Sequence, residues 1–290
     1  MRIAVVGARG QLGAAIVHEC RAMHEVVALT RADLDVTDDT AVAETFDRAH
    51  PDVIINCAAD NRVDFAEDHP VDALNTNAFG VRALARAAAH HDATLVHYSS
   101  DFVFDGTATA PYREDARPNP RSVYAASKLL GEWFALDAPR AYVLRVESLF
   151  GRAPGGRPPK GSADGIVQAL IAGASPVVFE DRTVSPTYVL DAARATRQLL
   201  ELQAPGGLYH CVNDGTCTWL EFAQVVAGLL GVEPKMTPVR MADVPLRARR
   251  PQYCALSIDK LRSVGIEMPP WKDAAARYAA IVRSAGAPVN

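Results

Sequence analysis

Short runs of β-branched and other apolar residues alternate, over the first half of the chain, with alanine-rich stretches of helical periodicity. The strand-like runs are RIAVVG, EVVALT, DVIINCA, TLVHYSS and AYVLRV, and the helical stretches between them are QLGAAIVHECRAM, TAVAETFDRA, DALNTNAFGVRALARAAAHH and SVYAASKLLGEWFALD. Such alternation is typical of right-handed βαβ units, in which helices cover both faces of a parallel sheet. The pattern therefore predicts an α/β fold with a doubly wound parallel sheet.

This pattern weakens after about residue 150, where the segment GRAPGGRPPKGSADG (151–165) is rich in Gly, Pro and Arg. That composition predicts a mobile loop or lid and a domain boundary. We expect a first domain over 1–150 and a smaller C-terminal α/β domain over 151–290, with parts of about 176–213 returning to the first domain's sheet. Further elements are predicted as helices near 164–173, 188–202, 218–230 and 257–263, and as strands PVVF and LYHCV.

Composition narrows the class of protein. The chain has 290 residues, 49% of them hydrophobic, and a formal net charge of −4, so it can bury a large core and lacks the basic character of a nucleic-acid-binding protein. Its five cysteines show no CxxC or CxxH spacing, which predicts free thiols in a reducing compartment and no metal site. No apolar run approaches the roughly 18 residues of a membrane span, so we expect a cytoplasmic protein without membrane contact.

The first strand-like run ends in a glycine motif, GARGQLG, which places Gly7, Gly10 and Gly13 where the first helix begins. Glycine permits a tight turn and a close approach of pyrophosphate, and the start of a helix offers free N–H groups. The motif predicts that 1–150 is a dinucleotide-binding Rossmann domain, with Gln11 and Leu12 also at the cofactor. A turn that binds no ligand is the alternative.

The end of the second strand indicates which dinucleotide binds. An Asp or Glu that accepts bonds from the ribose hydroxyls is usual in an NAD site, but Arg31 stands here. A guanidinium suits a 2′-phosphate, so NADP(H) is favoured over NAD(H), and a solvated Arg31 is the less favoured alternative. Asp35 and Val36 are expected to flank the adenine, and the small Ala58 and Ala59 after the third strand are expected to contact the cofactor.

A tyrosine and a lysine lie four positions apart in SVYAASKLLGEW, which places Tyr124 and Lys128 on the same face of a predicted helix. A cation within about 6 Å of a phenol favours the phenolate, so we expect Lys128 to lower the pKa of Tyr124 and make it a usable proton donor. Ser100 and Asp101 follow the fourth strand, at the sheet edge where ligands of open α/β sheets bind. The alternative is an amphipathic helix that carries Tyr and Lys by chance.

Together these motifs resemble the extended short-chain dehydrogenase/reductase family, and within it the dTDP-4-dehydrorhamnose reductases and related nucleotide-sugar 4-ketoreductases. The resemblance extends over nearly the whole chain through GARGQLG, PDVIINCAADNRVDFAE, VHYSSDFVFDG, YAASKLLGE, VSPTY, GLYHCVNDGTCTWLEFA and RRPQYCALSIDKL. It implies that Tyr124 protonates the oxygen of a reduced carbonyl, that Ser100 bonds the same oxygen, and that Lys128 also binds the nicotinamide ribose.

The resemblance also implies a set of substrate-binding residues, namely Ser100, Asp101, Phe102, Glu147, Pro186 and Arg250. The chain departs from the family pattern at three of them. Ser100 stands where Thr is usual, which preserves the hydroxyl. Phe102 stands where Tyr is usual, and Glu147 lies in Val-Glu-Ser where Thr-Ser-Trp is usual, so the identity of the sugar stays open. Arginines suit the two phosphates of a nucleotide sugar, and the candidates besides Arg250 are Arg182, Arg247 and Arg249.

The family's chemistries are separated by a few residues. Nucleotide-sugar 4,6-dehydratases carry an Asp-Glu pair after the strand-four hydroxyl, but Phe102 follows Asp101 here, which disfavours loss of water. The sequence therefore predicts NADPH-dependent reduction of the 4-keto group of a nucleotide-linked 4-keto-6-deoxy sugar. A nucleotide-sugar 4-epimerase and a catalytically silent NADP-binding regulatory subunit remain alternatives, and a homodimer remains open.

Overall fold

The computed structural model describes residues 1–156 and 161–286 of the chain. The loop predicted over 151–165 contains residues 157–160, which lie outside the described residues. Within the described ranges, no helix combines the length and the apolar character that crossing a membrane requires.

A parallel sheet of six strands forms the centre of the molecule and confirms the predicted α/β fold. The strands in chain order are β1 (Arg2–Val6), β2 (Glu25–Leu29), β3 (Val53–Asn56), β4 (Thr94–Ser100), β5 (Ala141–Val146), β6 (Leu149–Phe150), β7 (Val177–Phe179), β8 (Thr183–Val184), β9 (Thr187–Tyr188), β10 (Gly207–His210), β11 (Cys217–Thr218) and β12 (Thr237–Val239). The central sheet has the spatial order β10-β5-β4-β3-β1-β2, and every pairing in it is parallel. Its carboxyl ends therefore meet at one edge.

Helices cover both faces of this sheet. They are α1 (Gln11–Cys20), α2 (Asp39–Ala49), α3 (Val63–Asp68), α4 (Pro70–Leu74), α5 (Gly80–His90), α6 (Val123–Leu136), α7 (Ser162–Ile171), α8 (Val189–Glu201), α9 (Trp219–Leu230), α10 (Asp259–Ser263) and α11 (Trp271–Gly286). One π-helical turn (Asn75–Phe79) joins α4 to α5. Because β1 side chains alternate, Ile3 and Val5 pack in the core with α1 and α8, whereas Ala4 and Val6 face α2 and α5.

A second core lies beyond the central sheet and is built from α7, α9, α11 and the short strands. Its centre is aromatic, with Phe150 stacked on Tyr188 at 5.4 Å and in edge contact with Phe222 at 5.8 Å. The chain nevertheless returns to the first part, because β10 pairs with β5 at the edge of the central sheet and α8 packs against α1.

Candidate active site

The glycine turn at the end of β1 has almost no space for side chains. Gly7 has a φ of +77°, and a Cβ on it would lie 2.8 Å from the Ala58 nitrogen. A Cβ on Gly13 would lie 2.2 Å from the Gly7 oxygen. The turn, the first turn of α1 and the end of β3 are thus packed backbone against backbone, and only glycine permits this approach.

The start of α1 offers free hydrogen-bond donors. Gly10 provides no side-chain cap, and among the described residues no acceptor faces the N–H groups of Gln11, Leu12 or Gly13. Such a helix start fits a diphosphate, so the residues present fit the dinucleotide that the motif predicts. The two other side chains are used elsewhere: Gln11 donates to the Gly151 oxygen at 2.8 Å, and Leu12 is in the core. Only their backbone atoms remain for a cofactor.

Two exposed guanidinium groups lie near the end of β2. One belongs to Arg31 and the other to Arg9 in the adjacent glycine turn. Arg31 is 91% exposed and lies 3.7 Å from the Asp35 carboxylate. Arg9 was not among the predicted residues. The hydrogen bonds from Thr30 lower the pKa of Asp33 beside this strand end, and the charge of Arg9 lowers it further. The sequence signal that could have identified Arg9 is its place inside the glycine turn, between Gly7 and Gly10. The remaining adenine-side candidates differ in exposure, since Val36 is buried against the Gly80 backbone, whereas Ala58 and Ala59 are half-buried.

Ser100, Tyr124 and Lys128 come together at the same sheet edge. Ser100 is the last residue of β4. The helix α6 begins at Val123 because the Ser122 hydroxyl caps it, accepting a bond from a backbone N–H of the first turn at 3.2 Å. Tyr124 and Lys128 are 7% and 3% exposed. The Lys128 ammonium donates to the Tyr98 carbonyl oxygen at 2.6 Å, which holds it against β4.

The structure reverses the expected effect on the phenol. Burial and then the Asp101 carboxylate raise the pKa of Tyr124, and only the neighbouring Ser100 hydroxyl lowers it. Burial also lowers the pKa of Lys128 to about 8, so the ammonium is still largely charged at neutral pH, and it is not among the groups that shift the pKa of the phenol. Tyr124, which donates to the Asn61 side-chain oxygen at 3.4 Å, therefore keeps its proton.

A basic cavity of about 360 Å³ opens near this edge, and its lining is Asp105, Thr107, Arg121, Arg249 and Arg250. Three guanidinium groups against one carboxylate give it the charge that a diphosphate requires. Arg250 is also paired with the Asp64 carboxylate at 2.5 Å. Arg121 was missed in the sequence because it lies far along the chain from the other two arginines.

Three predicted substrate contacts are buried and lack an open surface. Glu147 is 1% exposed, Pro186 is buried, and Asp101 is 3% exposed, so none of the three offers the surface that a direct contact with a sugar needs. Arg182 is buried as well, and its guanidinium donates to the Cys254 sulfur at 3.5 Å.

Phe102 and Arg247 complete the predicted set. The Phe102 ring is half-buried and packs edge to face on Tyr124 with ring centres 5.4 Å apart. Phe102 thus borders the phenol and retains partial exposure. Arg247 is exposed and its guanidinium is paired with the Asp68 carboxylate.

Comparison with known proteins agrees with this geometry. The family model described as RmlD substrate binding domain matches residues 1–284. The chain is 37% identical to a dTDP-4-dehydrorhamnose reductase of Mycobacterium tuberculosis, over 95% of this chain and 91% of that protein. Among solved structures, it is similar to a dTDP-4-dehydrorhamnose reductase from Clostridium acetobutylicum (32% identity, TM-score 0.91, 98% of this chain and 100% of that one). A second, from Bacillus anthracis in complex with NADP, has 29% identity and a TM-score of 0.90 over 97% of this chain and 99% of that one. The chain therefore belongs to the dTDP-4-dehydrorhamnose reductase group of the extended short-chain dehydrogenase/reductase family, a family of NAD(P)-dependent oxidoreductases.

Proposed function

We propose that the protein reduces the 4-keto group of a dTDP-linked 4-keto-6-deoxy sugar with NADPH. The observation that carries this proposal is the meeting of Ser100, Tyr124 and Lys128 at the sheet edge that also holds the glycine turn. The names of the relatives, and the NADP in the Bacillus anthracis structure, support the same reaction class.

The cofactor is held by the backbone of the glycine turn and by Lys128. The free N–H groups at the start of α1 bind the diphosphate, and Lys128 binds the nicotinamide ribose. An ammonium has three N–H donors, and the bond to Tyr98 uses one of them, so donors remain for ribose hydroxyls. When bound, NADPH supplies the hydride that adds to the carbonyl carbon.

Tyr124 provides the proton. Its raised pKa means that the phenol is intact at neutral pH, which is the state that a general acid needs before each turnover. The alkoxide oxygen of the product is a stronger base than a phenolate, so the proton moves from Tyr124 to that oxygen. The Ser100 hydroxyl stabilises the oxygen by a hydrogen bond.

The direct test measures loss of NADPH absorbance with dTDP-, UDP- and GDP-linked 4-keto-6-deoxy sugars. We expect stoichiometric oxidation with the dTDP sugar and formation of the 4-hydroxy product. An epimerase or a silent regulatory subunit would not consume reduced cofactor stoichiometrically. If no 4-keto sugar in the panel oxidises NADPH while the cofactor still binds, the proposed function is wrong.

We also propose that Arg31 favours NADPH by binding its 2′-phosphate. Arg31→Ala should then weaken NADPH binding by about 10-fold and leave NADH binding nearly unchanged, since a hydrogen bond to a charged group contributes on the order of 1.5–3 kcal/mol. Arg48→Ala is the matched control, because Arg48 is another exposed arginine that lies 3.7 Å from a carboxylate one helical turn away. Equal losses for both cofactors would contradict this role.

A further inference from the structure

Four buried polar side chains form a cluster directly behind Ser100. They are Asp101, Glu147, Arg182 and Cys254, and each is at most 6% exposed. One carboxylate oxygen of Asp101, one of Glu147 and the Cys254 sulfur all lie within 4.8 Å of one another. Segments that are distant along the chain thus bring two carboxyl groups together in a space that excludes water.

The charges of this cluster do not balance if both carboxyl groups are ionised. Burial raises the pKa of the Cys254 thiol well above its ordinary value, so the thiol is neutral, and Arg182 supplies a single positive charge. In the described part of the chain, no nitrogen of Arg182 lies within 4.0 Å of a carboxylate oxygen, so this charge compensates from a distance. Two neighbouring carboxylates in such a place cannot both remain charged, whereas one shared proton makes the cluster neutral.

The hydrogen bonds leave room for that proton. One oxygen of Glu147 accepts from the Ser185 backbone N–H at 2.6 Å, and one oxygen of Asp101 accepts from the Ser100 hydroxyl at 2.8 Å. The other oxygen of each carboxyl group is fully buried and has no partner among the described residues. Buried polar atoms are rarely left unpaired, and a proton held by this pair of carboxyl groups would give an unpaired oxygen a hydrogen to share.

The pair is connected to the proposed general acid. The Ser100 hydroxyl donates to Asp101 at 2.8 Å, and it is also close enough to the Tyr124 phenol to lower the pKa of that group. We propose that Asp101 and Glu147 share one proton, and that this proton passes through the Ser100 hydroxyl to replace the one that Tyr124 gives up. The inference rests on the proposed function for its catalytic part, and Glu147 is a positioning residue because it acts through Asp101 and Ser100.

The transfer balances as follows. The Tyr124 O–H bond breaks as the O–H bond of the product alcohol forms, which leaves a phenolate. The Ser100 hydroxyl then gives its proton to the phenolate oxygen. The Asp101 carboxyl group turns so that its protonated oxygen faces Ser100, and it gives the shared proton to the Ser100 oxygen. The carboxyl pair gains one negative charge, and a proton from water restores it after the product leaves.

The pair also predicts the direction of a pH effect. The titratable or charged groups that face it are Tyr124, Arg182, Cys217, Tyr253 and Cys254. Burial and then the Asp101 carboxylate raise the pKa of Glu147 well above its ordinary value. The shared proton is therefore held to a higher pH than an ordinary carboxyl group holds its proton and is lost as the pH rises, so turnover should decline on the alkaline side.

Infrared spectroscopy of the intact wild-type protein tests the shared proton without any substitution. With ¹³C-labelled glutamate, the carbonyl band of a protonated carboxylic acid should appear at neutral pH, carry the isotope shift and vanish at alkaline pH. Glu147→Gln should remove this band. Two outcomes would overturn the shared proton. One is a spectrum in which both carboxyl groups are ionised at neutral pH, and the other is a stoichiometric divalent metal in the purified protein.

Activity then tests the transfer. Glu147→Gln retains an oxygen for the Ser185 N–H but cannot hold a transferable proton, so turnover should fall on the order of 10-fold, less than the roughly 10²- to 10⁴-fold of the general acid itself. Its alkaline decline should also disappear. The matched control is Glu67→Gln, because Glu67 likewise accepts a backbone N–H, that of Val123, at 2.8 Å.

The two proposals fail in distinguishable ways. Wild-type turnover and an unchanged pH profile in Glu147→Gln would overturn the transfer even if the reductase activity is present. Absence of reductase activity would refute the proposed function and the transfer together, and the infrared band would still decide whether the two carboxyl groups share a proton.

Discussion

Two buried guanidinium–carboxylate clusters lie close to the ends of β4 and β5, and they are built in opposite ways. In the first, Arg145 and Glu132 form a two-bonded pair at 2.7 Å and 2.7 Å, and the Ser99 hydroxyl adds a third bond to the carboxylate. In the second, Asp101 and Glu147 share the distant charge of Arg182 and retain unpaired oxygens. The first cluster is balanced in charge and bonding, and the second is not.

This contrast separates a structural role from a chemical one. A balanced buried pair holds its elements in place and has no reason to change its protonation during a reaction. An unbalanced group of carboxyls has a perturbed pKa, and perturbed groups are concentrated where chemistry occurs. The unbalanced cluster is also the one that contacts Ser100, next to Tyr124.

The largest expected effect tests whether the unbalanced cluster adjoins the reacting atoms. Tyr124→Phe should lower turnover by roughly 10²- to 10⁴-fold, because it removes the general acid, while NADPH binding measured by fluorescence persists. Tyr142→Phe is the control, since Tyr142 is another buried tyrosine whose hydroxyl donates to a carbonyl, that of Ala204, away from the site. If the two variants had equal activity, Tyr124 would not be the general acid, and the cluster next to it would have no part in the reaction.

Breaking the balanced cluster should affect stability most. Glu132→Gln leaves the buried Arg145 charge without its carboxylate, so we expect the free energy of unfolding to fall by about 3–5 kcal/mol. Urea denaturation followed by circular dichroism measures this loss. A loss below about 1 kcal/mol would show that the pair contributes no more than a surface ion pair.

The clusters should also respond to pH in opposite directions. Burial and the neighbouring Arg145 lower the pKa of His210 from 6.5 to about 3, so the folded protein resists protonation and loses stability as the pH falls through this range. The pKa of Glu147 is raised, so the folded protein loses stability as the pH rises above 4.5, the ordinary pKa of a glutamate side chain. His210→Gln should reduce the acid-side slope, by at most about 1.4 kcal/mol per pH unit. Glu147→Gln should reduce only the alkaline-side slope, and urea unfolding at several pH values compares them.

The smallest expected effect is on the stability of Glu147→Gln at neutral pH. A protonated Glu147 carries no charge, so an amide of the same shape should change the free energy of unfolding by less than about 1 kcal/mol. Differential unfolding in urea beside Glu132→Gln measures the contrast. A loss as large as that of Glu132→Gln would indicate that Glu147 is ionised and structurally paired.

Much of the fold could be predicted because its information is local. Apolar periodicity located the six strands of the central sheet and the main helices, whereas the short strands β6, β8, β9, β11 and β12 were not predicted. The sequence-based argument missed α3 and α11. In α11 the buried residues Trp271, Ala274, Ala275, Tyr278 and Ala279 do have helical spacing, but three of the five are alanines, and the aromatic core that Tyr278 joins is visible only once distant segments are folded together.

The site was less predictable for the same reason. Gly7, Ser100 and Tyr124 lie in motifs that can be read locally, but the neighbours of each are set by tertiary structure. The direction of the Tyr124 pKa depends on burial and on Asp101, which spacing to Lys128 does not reveal. Glu147 seemed to be a substrate contact because its position resembled one, whereas folding encloses it.

The return of β10 to the edge of the central sheet makes the two halves inseparable by simple truncation. A fragment that ends at residue 150 would lack β10 and expose the hydrogen-bonding groups of β5 along a new open edge, which invites association with other chains. It would also lack α8, the partner of α1. The first 150 residues are consequently not an excisable module, and exchange of C-terminal halves between relatives would need to retain this returning strand and helix.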